Sequence, residues 1–303
     1  IVGLFVKNVP LLVLPILAAM ICPTFSFSYG GQPEELFLPM LSMSLYIMLD
    51  YTRNVYPRSL SLRKVLLLGI FTGCILWSKY TMIGLYAGII VLVSTLLLKD
   101  GEYRELFRYA GVYLAGFSLV TFPVIIYFMV NHALHDLFQV YFYNLLFLYS
   151  EPADLSWPIL FLGNLIQSFR TNKYSLLIIA GILWMTFFSV KKISYVEKIN
   201  IWMLCFFAAF GIFGGGVNHR YYILSLAIFS PLGFIPFILC FKKLVAYLGI
   251  GKRDLSLDRY IIVLLNVVVV VACLLFCYYK SYNIYLMKYK KSDMPQYIFR
   301  DII

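Results

Sequence analysis

Long apolar runs separated by short polar connections set the pattern of this chain. A helix needs about 20 mostly apolar residues to cross the roughly 30 Å hydrocarbon core of a bilayer. The third and fourth runs meet at Ser78, Lys79 and Tyr80 and predict a tight helical hairpin. The sequence thus predicts an all-α, polytopic membrane bundle with about nine transmembrane helices, near 8–22, 35–49, 65–78, 81–98, 106–130, 174–190, 200–217, 221–241 and 259–279.

The remaining segments give no sign of a separate soluble domain. Residues 131–173 mix polar and aromatic side chains, which is typical of helices that lie in the membrane interface. The C-terminal tail, 280–303, is polar and basic. We therefore expect a single transmembrane domain over 1–303, with an interfacial loop and a short tail.

Composition excludes an ordinary soluble protein. Hydrophobic residues make up 62% of the 303 positions, charged residues 13%, and the mean hydropathy is +0.86. A globular chain has about 25% charged residues. Aromatic residues reach 18%, as expected where helix ends sit in interfacial belts.

Basic residues follow the predicted alternation of sides and predict the orientation. Positively charged loops stay in the cytoplasm. The net charge of +11 therefore reads as an orientation signal, with basic loops against anionic lipids, and it gives no reason to expect a nucleic-acid partner. The outer side carries Lys79, Arg170, Lys173 and Arg220 before the tail, whereas the inner side carries Arg53, Arg58, Arg63, Lys64, Lys99, Arg104, Arg108, Lys191, Lys192, Lys198, Lys242, Lys243, Lys252, Arg253 and Arg259.

Three pairs of glycines predict close helix packing. Small residues four apart allow two backbones to approach each other inside a membrane. The pairs are Gly69 with Gly73, Gly84 with Gly88, and Gly211 with Gly215.

Polar residues that could carry chemistry gather on the predicted outer side. Glu34 and Glu35 follow a Gly-Gly-Gln-Pro turn and open a helix at the membrane boundary. Carboxylates there are stabilised by the helix dipole, which is a purely structural role, but ionisable groups at membrane depth are usually functional. Both readings remain open from the residues alone.

Two further outer connections carry cations beside aromatic residues. Lys79 and Tyr80 occupy the turn of the predicted hairpin, and His219, Arg220 and Tyr221 join two later helices. A lysine or arginine can hold a phosphate, whereas a snorkelling or merely solvated cation is the structural alternative. Histidine can exchange a proton near neutral pH.

These motifs resemble those of polytopic glycosyltransferases of the type C (GT-C) fold. The similar features are the Gly-Gly-Gln-Pro-Glu-Glu turn before an apolar helix, the small-residue helix that ends in Lys79-Tyr80-Thr81, and Arg220-Tyr221-Tyr222 before a proline-containing helix. The most similar members are bacterial relatives of protein mannosyltransferases and of lipid A aminoarabinose transferases. The resemblance extends to about Lys243.

The resemblance implies transfer of a sugar from a polyprenyl-phosphate-linked donor to a lipid or glycan acceptor on the outer face of a bacterial inner membrane. It implies that Glu34 or Glu35 helps to arrange substrate or a divalent metal ion. Lys79, His219 and Arg220 would face the carrier phosphate, with Tyr80 and Tyr221 beside them. The main catalytic base of this family lies in an earlier outer loop, so we expect this chain to be a fragment that lacks that N-terminal region.

Two other functions fit an outer cluster less closely. A transporter or flippase of lipid-linked sugars predicts polar groups near the middle of the membrane, often with an internal repeat. A polysaccharide polymerase or ligase would use a long outer loop such as 131–173. Charged residues are nearly absent from the predicted helix centres, which favours the transferase.

Overall fold

A computed structural model describes residues 1–7, 12–27, 31–148, 156–188, 193–216, 218–247 and 255–281. Every regular element in these ranges is helical, as predicted. Segments of 3-10 helix cover Phe25–Phe27, Tyr80–Ile83 and Tyr222–Gly233, and π-helical segments cover Tyr51–Val55, Phe138–Leu148 and Trp184–Phe188. The α-helices are α1 (Val2–Phe5), α2 (Val13–Ile21), α3 (Pro33–Asp50), α4 (Leu62–Ser78), α5 (Gly84–Lys99), α6 (Tyr103–Val130), α7 (Leu134–Leu137), α8 (Trp157–Thr171), α9 (Ser175–Leu183), α10 (Tyr195–Phe213), α11 (Phe234–Tyr247) and α12 (Leu255–Lys280).

Several described helices are long and apolar enough to cross a membrane, which indicates an integral membrane protein. Five of the described helices qualify alone: Tyr80–Lys99, Tyr103–Val130, Tyr195–Phe213, Tyr222–Leu244 and Val263–Lys280. If α8 and Ser175–Phe188, which are bent by 110° at their junction, are counted together as one span, there are six.

The predicted count of nine spans is not confirmed. The segment predicted at 8–22 yields only the nine-residue α2, and 8–11 lie outside the described residues. The segment at 65–78 corresponds to α4, which has 17 residues. The segment at 35–49 lies within α3, an 18-residue helix that has Glu34 and Glu35 in its first turn and Asp50 as its last residue. These carboxylates lower its mean hydropathy, and α3 is not among the helices that qualify as spans.

Apolar side chains face outward on the peripheral helices, which is the arrangement expected in lipid. On α6, Phe122 is 62% exposed, and on α12, Leu264 is 65% exposed. In contact with lipid, helices associate mainly through close packing and interhelical hydrogen bonds. Both are present here.

Polar side chains point inward and join helices. Ser44 of α3 shares a hydrogen bond of 3.0 Å with the hydroxyl of Tyr86 on α5. Asn200 of α10 donates to the carbonyl of Met48 at 2.9 Å and to Thr52 Oγ1 at 2.8 Å. These buried bonds fix α3 against α5 and α10.

Glycines permit the tightest helix crossings, as predicted for five of the six. A Cβ on Gly69 would collide with the backbone of Tyr113, and one on Gly84 would lie 2.9 Å from the Cα of Gly211. Gly73 and Gly88 are similarly crowded. The exception is Gly215, which lies beyond the end of α10 at Phe213, and a Cβ added there would meet nothing within 4 Å.

A 3-10 segment occupies the centre of the bundle. Tyr222–Gly233 packs against α2, α3, α9, α10 and α11, and ten of its twelve residues are buried. Such helices rarely exceed about three or four residues, because their hydrogen bonds are poorly aligned. The hydroxyls of Ser225 and Ser230 are buried in this segment and find no hydrogen-bond partner among the described residues.

One end of the bundle, here called the Arg53 end, carries a network of charges. Arg53 Nη1 lies 2.8 Å from Glu197 Oε1, and Arg53 Nε donates to the carbonyl of Leu4. Asp50 pairs with Lys64 at 2.8 Å. Burial by itself raises the pKa of Asp50, but hydrogen bonds from Asn54 and Lys64 and the charge of Lys64 outweigh it and leave that pKa below its ordinary value.

The predicted interfacial segment is helical in its described parts. It contains α7, the π-helical segment Phe138–Leu148 and α8, whereas 149–155 lie outside the described residues. Its placement in the membrane interface stays a prediction. Of the predicted tail at 280–303, only Lys280 and Ser281 are described.

Candidate functional site at the Lys79 end

The start of α3 separates the two predicted carboxylates. Gln32 is the extended N-cap, Pro33 opens the first turn, and Gly31 adopts a φ of 72°, which favours glycine. The N–H of Gly31 donates to Glu35 Oε2 at 2.9 Å. Glu35 therefore closes its own turn, which is a structural role.

Glu34 is turned into the bundle instead and pairs with Lys79. It is 1% exposed, and its Oε1 lies 2.5 Å from the ammonium nitrogen of Lys79. Its other oxygen, Oε2, is buried and accepts no hydrogen bond from any described residue. Because a carboxylate oxygen has two acceptor sites, Glu34 has capacity for a donor that the described chain does not supply.

Two aromatic rings enclose the ammonium of Lys79. The nitrogen lies 4.4 Å from the ring centroid of Tyr221 and 4.3 Å from that of Tyr222. A cation over a ring face at this distance is attracted by the ring quadrupole. We use the name Lys79 end for the part of the bundle formed by Glu34, Lys79, Tyr221 and Tyr222.

The backbone holds Lys79 at a junction between helices. α4 ends at Ser78, and Lys79 is extended, with a φ of −159°, before the 3-10 segment Tyr80–Ile83 begins. Burial lowers the pKa of the Lys79 ammonium, and the hydrogen bond and charge of Glu34 act in the opposite direction. The carboxylate is thus the group that favours a charged lysine in this apolar setting.

The structure brings together some of the other predicted residues and separates one. His219 stacks on Tyr221 with ring centroids 5.4 Å apart and ring planes at 5° to each other. His219, Tyr221 and Tyr222 together form a group of rings beside Lys79, here called the aromatic wall. Tyr80 lies within electrostatic range of Tyr222. Arg220 points away and places its guanidinium carbon 5.6 Å from the ring of Phe25.

Helix α8 anchors the connection that carries His219. Trp157 Nε1 donates to the carbonyl of Gly214 at 2.7 Å, and Asn164 donates to that of Gly216 at 2.9 Å. The hydroxyl of Ser168 donates to Asn218 at 3.1 Å. The long predicted loop therefore positions the aromatic wall.

Two cavities in the described part of the chain lie away from this site. Two adjoining cavities, of about 450 and 500 Å³, border α8 and its junction with α9 and are lined in part by Arg170. They are separate from the Lys79 end, whose polar groups are already in contact with each other.

Metal ligands do not converge in the described part of the chain. Nowhere in it do three His, Cys, Asp or Glu side chains approach closely enough to hold an ion. A divalent metal ion stays a prediction from the resemblance.

Comparison with known proteins gives no family for this chain. No family model, curated protein or solved structure matches it. The resemblance to type C glycosyltransferases therefore rests on the residues alone.

Two features of the site were not predicted. The selection of Glu34 over Glu35 depends on which way each side chain leaves α3. The role of Tyr222 as the second ring on Lys79 depends on the tertiary packing of α4 against the 3-10 segment. The clustering of aromatic residues beside Lys79 and Arg220 was the available signal for the latter.

Proposed function

We propose that this chain is a membrane-embedded glycosyltransferase that moves a sugar from a polyprenyl-phosphate-linked donor to a lipid or glycan acceptor. The observation that carries the proposal is the buried pair of Glu34 and Lys79, two residues that the sequence predicts to lie at the membrane boundary. A carboxylate and an ammonium are the two groups needed to act on an acceptor hydroxyl and on a departing phosphate.

The existing ion pair suggests how substrate engages the site. A phosphate that binds Lys79 replaces Glu34 as its partner, and the carboxylate is then able to accept a hydrogen bond from an acceptor hydroxyl. The acceptor oxygen bonds to the anomeric carbon as the bond from that carbon to the phosphate oxygen breaks. The hydroxyl proton goes to a carboxylate, and Lys79 balances the charge on the released polyprenyl phosphate.

Glu34 and the family's main base have different roles in this proposal. By the resemblance, the main base lies before the region that Glu34 occupies, and Glu34 orients the acceptor or a divalent ion. Without that base, Glu34 itself takes the proton. Its burial keeps competing water away from the reacting groups.

The proposed orientation places the Lys79 end outside the cytoplasm of a bacterial inner membrane. Basic residues predicted for the opposite side include Arg53 and Lys64, which the structure joins to Glu197 and Asp50 at the Arg53 end. The positive-inside rule assigns that end to the cytoplasm. Helix α3 connects the two ends, and its 16-residue separation between Glu34 and Asp50 corresponds to about 24 Å of helix.

Adjacent carboxylates offer a matched test. The full-length protein would be reconstituted in liposomes with polyprenyl-phosphate-linked hexoses, and release of polyprenyl phosphate would be measured. Glu34→Gln should lower kcat about a hundredfold, because an acceptor that is misplaced by about 1 Å typically reacts that much more slowly. Glu35→Gln removes the same charge one residue away and should leave kcat within a factor of about three, because it caps a turn. Equal activity of the two variants would contradict the proposal.

The same liposomes distinguish the alternative functions. A transporter or flippase moves the labelled donor across the bilayer and releases no polyprenyl phosphate. A polymerase or ligase produces a lengthened glycan and depends on 131–173 rather than on Glu34. The location of the Glu34–Lys79 pair near the beginning of α3, away from its centre, favours the transferase over passage through the bilayer.

A further inference from the structure

The corner between α8 and α9 combines two cations with an apolar groove. The two helices meet at 110°, and the larger cavity there measures about 500 Å³. Arg170 and Lys173 both line this cavity, and both are exposed. Neither forms an ion pair with a described residue, in contrast to Arg53, Lys64 and Lys79.

Apart from Asn172 and Ser175, the rest of the wall is apolar. Ile166 on α8 is 57% exposed, and Leu176 on α9 is 68% exposed. Leu165, Phe169 and Ile179 complete the groove. Two cations beside apolar side chains match a molecule with a charged head and a hydrocarbon chain.

A buried amide provides an independent sign of a ligand. Asn172 lies at the bend, lines the same cavity and is 3% exposed. Its nitrogen donates to the carbonyl of Ser168 and to Thr171 Oγ1, each at 3.0 Å. Its oxygen is buried and accepts no hydrogen bond from any described residue. An acceptor left in this state is unfavourable unless a donor reaches it.

We propose that this corner binds an anionic phospholipid whose headgroup carries a hydroxyl. The phosphate lies between Arg170 and Lys173, the headgroup hydroxyl donates to Asn172, and an acyl chain follows Ile166 and Leu176. Basic pockets at helix junctions are suited to anionic headgroups. The corner is separate from the Glu34–Lys79 pair, so this proposal holds whether or not the chain is a glycosyltransferase.

Native mass spectrometry of the purified full chain tests the proposal. The probes are phosphatidylglycerol and phosphatidylcholine with the same acyl chains. Arg170→Gln/Lys173→Gln should weaken phosphatidylglycerol binding about twenty-five-fold, since each basic residue near an anionic membrane contributes roughly a factor of five. Binding of phosphatidylcholine should change little.

Two controls make the result specific. Lys99→Gln/Arg104→Gln removes the same charge from two exposed positions, the end of α5 and the start of α6, and should leave phosphatidylglycerol binding unchanged. Glycerol phosphate, which has the headgroup but no acyl chain, should fail to displace the lipid. Equal losses in the two double variants, or displacement by glycerol phosphate at the lipid's own concentration, would overturn the proposal. Thermal unfolding of each variant checks that these surface changes leave the fold intact.

Discussion

The crossing of α5 and α10 at Gly84 leaves no room for a methyl group, and Gly84→Ala should therefore destabilise the bundle. The added Cβ would overlap the carbonyl oxygen of Phe207 and lie 2.9 Å from the Cα of Gly211. Non-bonded carbons rest about 3.5–4.0 Å apart, so the helices would have to separate by about 1 Å. Both obstacles are backbone atoms, which no rotamer change can move.

Two opposing effects set the magnitude. Overpacking in a tight core costs about 1–3 kcal/mol, whereas alanine is favoured over glycine inside a helix by about 1 kcal/mol. For a backbone obstacle the upper part of the first range applies, so the net loss for Gly84→Ala is about 2 kcal/mol. Gly111 lies within α6, and a methyl group added there would meet nothing within 4 Å, so Gly111→Ala should gain up to about 1 kcal/mol.

Reversible unfolding of the purified chain in mixed detergent micelles would measure both variants. The expected difference between their unfolding free energies is about 3 kcal/mol. Gly84→Ala/Gly211→Ala should be non-additive, because the two positions contact each other. Equal stability of Gly84→Ala and Gly111→Ala would refute the packing argument.

Three further predictions concern an ion pair, a thiol pair and an acid. Lys79→Met should destabilise the chain by about 3–5 kcal/mol, because it leaves the buried carboxylate of Glu34 without its ion-pair partner, and Glu34→Gln/Lys79→Met should recover most of that loss in the same unfolding assay. The free thiols of Cys22 and Cys277 interact across the contact between α2 and α12, so a disulfide oxidant should crosslink them, detected by peptide mass spectrometry, and either serine variant should abolish the crosslink. The pKa of Asp50 is lowered on folding, so the stabilisation that Asp50 contributes is present above its unfolded-state pKa and is lost as pH falls through its folded-state pKa. Asp50→Asn should therefore reduce the loss of unfolding free energy at acidic pH, measured as stability against pH.

Each of these three has a clear contrary result. Unchanged stability in Lys79→Met would mean that the carboxylate is not held by the lysine. A crosslink in the single serine variants would show that other cysteines react. If Asp50→Asn lost stability at acidic pH as steeply as the original protein, other carboxylates would be responsible for that loss.

Much of the fold could be predicted because hydropathy and glycine spacing act locally. The length of the apolar runs located the helices around 81–98, 106–130 and 259–279. Glycines four apart identified where α4 packs against α6 and where α5 packs against α10. Gly215 failed as a packing position because the pattern gave no sign that α10 ends at Phe213. Nor did the uniformly apolar run after Tyr221 distinguish a 3-10 segment from an α-helix.

The candidate site could be predicted only as a set of residues on one side. Glu34 and Glu35 are neighbours in sequence but leave a helix about 100° apart, so packing alone decides which one is buried. Lys79 and Tyr222 are brought together by tertiary contacts that no local pattern encodes. Arg220 was grouped with them by proximity in sequence, whereas its side chain turns toward Phe25.

The central 3-10 segment determines how far the aromatic wall reaches. A 3-10 helix advances about 2.0 Å per residue and an α-helix about 1.5 Å, so the twelve residues of Tyr222–Gly233 span about 24 Å rather than about 18 Å. With α11 fixed, rewinding the segment as an α-helix would withdraw Tyr222 by about 6 Å from Lys79. The 3-10 conformation of this segment thus acts as a spacer that brings the ring of Tyr222 as far as the ammonium of Lys79.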